Sequence, residues 1–197
     1  MPPDDINPES GCRLPLPRRE DLDEAAQRLY DSLKDPKGGS LVGLRGPGGI
    51  RLHSPKVAVL AQPMSRYLRW DCALGGRVRE LAILATAREF DSQFEWTAHE
   101  PAALAEGVPP ATVEIIKHRR ATAGLPEKDA IVIELGREIF RAKKVSSVTY
   151  ARALEQFGAK DLVDLVSLMG IYAATAAILC AFDMQLPAGK SPPLPVG

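Results

Sequence analysis

The chain has 197 residues, 45% hydrophobic and 25% charged, enough for one well-buried core and short for two. Twenty-five Lys and Arg balance twenty-five Asp and Glu, so the net charge is zero, which argues against nucleic acid or an anionic membrane surface as partner. Cys12, Cys72 and Cys180 stand far apart without CxxC spacing, so no disulfide framework is expected. MPPDDINPES has neither the basic nor the apolar run of a signal peptide, and a cytoplasmic setting follows.

In chain order, Met1–Pro17 is Pro-rich and reads as an extended arm. Arg18–Lys34 predicts an amphipathic helix with Leu22, Ala25, Ala26, Leu29 and Leu33 on one face. Asp35–Ile50 is rich in glycine, lacks the Gly-Lys-Ser/Thr ending of a phosphate loop, and reads as a flexible connector. Ser54-Pro55 predicts a helix start running toward Trp70. Gly75-Gly76 precedes a helix over Arg77–Phe90, and Pro109-Pro110 opens another that ends near Arg120. Glu127–Lys144 and Thr149–Phe157 follow, with Gly158 closing the second before a long final helix. No segment alternates with period two. The expected class is all-α, a helical domain over residues 18–186, with Pro187–Gly197 as a Pro-rich tail that packs on a neighbouring subunit or stays loose.

Leu165–Phe182 is uncharged and meets the length rule for a membrane span. Its Ala, Ser, Thr, Tyr and Gly content and its flanking aspartates, Asp161, Asp164 and Asp183, predict instead a central helix buried on all sides, with no membrane partner. The three histidines and three cysteines never cluster at ligand spacing, and His99-Glu100 lacks the second His of H-E-x-x-H, so no metal is expected.

The chemistry concentrates in RELAILATAREFDSQFEWTAHEPAALAEG, Arg79–Gly107, which holds Glu80 and His99. A carboxylate and an imidazole in contact can move protons near neutral pH. On one straight helix the two would sit about 100° out of phase and roughly 28 Å apart along the axis. Asp91-Ser92 supplies a break, and Ser92-Gln93-Phe94-Glu95 fits a capping box, so two helices folded back on each other bring Glu80 beside His99. Glu95, one turn before His99, is a candidate to orient the imidazole. Ser92, Trp96 and Tyr172 are candidate site-lining residues.

This stretch resembles the core motif of carboxymuconolactone decarboxylases and the related alkylhydroperoxidase D-like proteins, through its Arg-Glu-Leu, Glu-Trp-x-x-His-Glu and Ala-x-x-x-Gly elements in order. VSLMGIYAATAAILCAFDMQLP, Val166–Pro187, resembles the family's tail. The resemblance implies an all-helical bundle assembling into trimers or hexamers, with sites near subunit contacts, and with Glu80 and His99 at the family's conserved glutamate and histidine. In the redox branch a CxxC dithiol lies seven and four residues before that histidine. Ser92 and Glu95 hold those positions here, which implies the non-redox branch.

The expected activity is a cofactor-independent decarboxylase, lyase or isomerase acting on a small carboxylated compound, with His99 as proton carrier and Glu80 setting its tautomer. Arg77, Arg79 and Arg88 are the cations nearest in sequence for a substrate carboxylate. The alternatives are a helical oligomer without catalysis and, last, a redox protein using Cys72 or Cys180 in apolar surroundings.

Overall fold

The computed structural model describes residues 3–37 and 40–195. Met1 and Pro2 of the expected arm, Gly38 and Gly39 of the glycine-rich connector, and Val196 and Gly197 of the tail lie outside the described residues. Among the described residues there are eight α-helices and no strand, the all-α class the sequence predicts; an isolated bridge joins Asn7 and Cys12. The backbone divides into two compact units, Met1–Arg66 with Ala177–Ser191, and Tyr67–Ala176 with Pro192–Gly197.

In the first unit, α1 (Glu24–Lys34) begins at Glu24 rather than at Arg18. Asp23 takes the N-cap, its carboxylate accepting from the Ala26 amide at 2.8 Å, and a 3-10 turn Arg19–Asp21 precedes it. Leu22 and Ala26 face Leu52 and Ala58, with Leu29, Leu33 and Val59 packed around them. α2 (Pro47–Arg51) overlaps the end of the stretch expected to be a plain connector. Pro47 at its first turn and the burial of Ile50 and Leu52 in the unit's interior fold that segment despite its glycines. α3 (Pro55–Arg66) starts at Ser54-Pro55 as predicted and leaves Val57, Leu60 and Met64 exposed. The N-terminal arm is pinned by Arg13 N–H donating to the Phe182 carbonyl and by Gln185 N–H donating to that of Gly11.

The second unit starts with a π-helical turn, Tyr67–Asp71, followed by α4 (Gly75–Glu89), α5 (Gln93–Ala105), α6 (Pro110–Lys117) and α7 (Glu127–Arg137). α4 packs against α5, α6 and α7, and every residue from Val78 to Arg88 is buried. Leu81, Ile83 and Leu84, all fully buried, contribute about 2 kcal/mol each. α7 runs on into a second π turn, Glu138–Ala142, so the helix predicted to Lys144 changes pitch at Arg137.

α8 (Ser147–Ala181) is interrupted at Gly158, whose φ of 68° and ψ of 172° are non-helical, where the sequence predicts a cap. This helix is long and apolar enough to cross a membrane, and half of its most apolar window is buried within the protein. The sequence expectation that it is buried on all sides is corrected. Leu165, Leu168, Met169 and Tyr172 enter the core, while Val163, Val166, Gly170 and Ala174 recur along one exposed stripe. The more deeply enclosed helix is α4, whose stretch from Val78 to Arg88 is buried throughout and packs against α5, α6 and α7.

Three arginine-to-carbonyl bonds fasten the unit's margins. Arg88 Nε donates to the Lys117 carbonyl at 2.7 Å, an Arg119 Nη2 donates to the Arg88 carbonyl at 2.8 Å, and an Arg137 Nη2 donates to the Ile115 carbonyl at 3.4 Å. Arginines near the ends of α4, α6 and α7 thereby bond carbonyls in the C-terminal turns of α4 and α6. The tail corrects a second expectation. Leu194 is buried in this unit's own core, and its N–H and C=O pair with the Gln93 side-chain amide at 2.9 and 3.2 Å.

Candidate active site

α4 and α5 are joined by Phe90–Ser92, where Asp91 adopts a left-handed φ of 49°. The turn reverses the chain as the Asp91-Ser92 pair predicts. Ser92 is the N-cap of α5, but its side chain makes no capping bond, so the expected capping box does not form. The fold-back brings Glu80 Oε2 to 2.7 Å from His99 Nδ1, both residues buried. The contact orients the imidazole and directs Nε2 to the opposite side of the ring. Glu80, from α4, does the orienting that the sequence also allowed for Glu95.

Glu80 carries charge in a place that would normally refuse it. Burial alone raises its carboxyl, but the His99 hydrogen bond and charge, with the Arg79 guanidinium behind them, outweigh burial and hold it below the ordinary carboxylate range. Arg79 Nε donates to Glu80 Oε1 at 3.0 Å, so the two carboxylate oxygens serve different partners.

Tyr172, from α8, stands edge-on to the His99 ring with centroids 5.1 Å apart and an interplanar angle of 86°. Its phenol is pushed well up by burial, and the Arg69, Glu80, Glu95 and Arg79 charges all act on it. Trp96 is fully buried in the core three residues before His99, and Glu95 is buried on the same helix. Ser92 lies at the start of α5, almost two turns before His99. The structure thus brings Glu80, His99 and Tyr172 into contact. It assigns Trp96 to packing and Ser92 to the helix start.

Sequence reasoning missed the outer part of the constellation. Arg79 Nη2 donates to Glu106 Oε1 at 3.0 Å, Nη1 donates to the Arg69 carbonyl at 2.9 Å, and the guanidinium lies 4.6 Å from the centroid of the exposed Trp70 ring. A signal for Glu106 existed: it follows His99 by seven residues and so shares its helical face. The three arginines proposed for a substrate carboxylate are engaged elsewhere. Arg77 forks onto Asp129, Arg79 bridges Glu80 and Glu106, and Arg88 reaches Lys117 and Asp91. The cysteines are free: Cys12 is buried, Cys72 half-buried and Cys180 exposed, so Cys180 lacks the enclosed surroundings expected of it. Among the described residues no group of His, Cys, Asp and Glu is arranged to hold a metal ion.

Residues 55–133 match the model of the carboxymuconolactone decarboxylase family, so this stretch is similar to that family. The match spans both Glu80 and His99, while Tyr172 lies beyond it. The match points to decarboxylase-like or peroxidase-like chemistry. No curated protein matches the chain.

Proposed function

We propose that the Glu80–His99 pair is a proton-transfer centre, and that the protein is a cofactor-independent decarboxylase, lyase or isomerase acting on a small carboxylated compound. The observation that carries this reading is the buried 2.7 Å contact between a carboxylate held ionised and His99 Nδ1. Glu80 fixes the proton on Nδ1 and stabilises the imidazolium that forms when Nε2 takes a second one. Nε2 then delivers a proton to the carbanionic carbon left by carbon dioxide, or removes one in an isomerisation. A positioned acid of this kind contributes about 10²–10⁴-fold. Tyr172, edge-on to His99, is suited to bind an oxygen of the substrate.

Serine and glutamate at positions 92 and 95 leave no dithiol before His99, which favours the non-redox side of the family's chemistry. The reading includes assembly into a trimer or hexamer and a cytoplasmic setting. The exposed stripes Val57, Leu60 and Met64 on α3 and Val163 and Val166 on α8 support assembly. They equally support the second reading, a helical oligomer without catalysis.

The discriminating experiment offers the protein a panel of small lactone, enol and β-keto carboxylates, carboxymuconolactone among them, in deuterated water. Carbon dioxide release and deuterium uptake are followed together. Turnover that falls at least a hundredfold in His99→Ala and in Glu80→Gln supports the proposal. Turnover indifferent to both variants, with the fold intact by circular dichroism, removes it.

A further inference from the structure

The proton-transfer reading leaves unexplained why a nearly buried arginine lies against the buried Glu80. Arg79 is 7% exposed and does not use its fork on one carboxylate. Nε goes to Glu80 Oε1 and Nη2 to Glu106 Oε1, both at 3.0 Å, while Nη1 is spent on the Arg69 carbonyl. The Trp70 ring covers its face. One partner, Glu80, is 3% exposed; the other, Glu106, keeps 44% of its side chain in solvent. Glu106 reaches this position over Gly76, where a Cβ would fall 1.8 Å from its carboxylate oxygen. Glycine at 76 therefore makes room for the outer ion pair.

We infer that Arg79 is the positioning residue of the Glu80–His99 pair, and that Glu106 tunes it by drawing off part of the Arg79 charge. By holding Oε1, Arg79 turns Oε2 toward His99 Nδ1 and keeps Glu80 a pure acceptor. By also holding Glu106, it spends on Glu80 only a share of its attraction, so the carboxylate retains negative charge for His99. The chain Glu106–Arg79–Glu80–His99 connects a solvent-facing acid to a buried imidazole across α4 and α5. The charged groups acting on Glu80 are Arg79 beside it on α4 and His99 on α5; Glu106, just past α5, reaches Arg79, and Tyr172 on α8, which Arg69, Glu80, Glu95 and Arg79 all act on, stands edge-on to His99.

The inference rests on the proposed role of the pair, but its test needs no substrate. Carboxyl carbon resonances of labelled protein, assigned with Glu80→Gln, report the ionisation of Glu80 against pH, and His99 ring-nitrogen shifts report the tautomer. Glu106→Gln gives Glu80 the whole Arg79 charge and is expected to move its ionisation to lower pH. Arg79→Met removes the cation and is expected to move it to higher pH, with a loss of the Nδ1–H tautomer. Arg79→Lys keeps the charge without the fork and serves where the Met variant does not fold; it is expected to shift Glu80 upward by less. Gly76→Ala displaces Glu106 and is expected to reproduce Glu106→Gln. Opposite movements in the Arg79 and Glu106 variants are what charge sharing requires. If Glu106→Gln and Gly76→Ala leave Glu80 unmoved or raise it, or neither Arg79 variant shifts it, the inference is overturned. An absence of turnover would instead count against the proposed activity and leave these titrations standing.

Discussion

Arg77 meets Asp129 with two parallel hydrogen bonds, Nη1 to Oδ1 at 2.7 Å and Nη2 to Oδ2 at 2.6 Å, tying the first turn of α4 to the first turn of α7. The pair is lopsided: the Asp129 side chain is 0% exposed, while Arg77 keeps 37% of its own in solvent. Removing the arginine strands a buried carboxylate, whereas removing the acid leaves a cation that reaches water. We expect Arg77→Met to destabilise by about 3 kcal/mol and Asp129→Asn by about half as much, between the ranges for buried and exposed pairs. Urea unfolding of both variants measures the asymmetry. Equal losses would show that the burial of Asp129 carries no cost of its own.

The Glu80 carboxyl gives acid sensitivity a direction. Its folded value lies below the ordinary 4.5, so the unfolded chain binds a proton there first as pH falls. The stability it contributes is full above the ordinary value and is lost as pH falls through the depressed one. Glu80→Gln should therefore flatten the decline in unfolding free energy below about pH 5, after an initial loss at neutral pH. An acid limb identical in both proteins would mean that Glu80 is not the group responsible.

Tyr172 acts at the opposite end of the scale. Burial pushes its phenol above the ordinary 10.0, so it stays protonated where an unfolded tyrosine ionises. The contribution is fully present below the ordinary value and declines as pH rises toward the folded one. Difference absorbance of phenolate should be the same in the native protein and in Tyr172→Phe until alkaline unfolding begins. A missing step in the variant at about pH 10 would show that Tyr172 is open to solvent.

Gly158 offers a backbone test. At φ 68° and ψ 172° it occupies a region that essentially only glycine enters, although no side chain crowds its missing Cβ. Gly158→Ala should cost about 1–3 kcal/mol from strain alone. Thermal unfolding at neutral pH measures it. A neutral or stabilising effect would mean that α8 straightens through this point without penalty.

Much of this arrangement was legible because it rests on local chemistry. Asp91-Ser92 is a poor helix interior, and the chain turns there; Gly158 breaks α8; Ser54-Pro55 starts α3. Once the turn is granted, Glu80 and His99 must approach. What escaped were competitions settled at a distance. Ser92 fits a capping box by spacing, yet burial takes Glu95 inward. The three arginines near Glu80 looked free for a substrate, since their carboxylates at 91, 106 and 129 come from other elements or lie further along the chain. The glycine-rich connector hid α2 because the burial of Ile50 and Leu52, not helix propensity, folds it. Uniform hydrophobicity in α8 could not say which face the core would take.

The arginines at the ends of α4, α6 and α7 carry a dynamic consequence. A helix end ordinarily frays by itself, one carbonyl at a time. Here the Lys117 carbonyl is held from α4, the Arg88 carbonyl from Arg119 just past α6, and the Ile115 carbonyl from α7. Loosening any one of these ends releases a bond belonging to another. The C-terminal turns of α4 and α6 should therefore exchange their amide hydrogens as one cooperative block, at a shared rate that an Arg88→Met change would raise in both helices together.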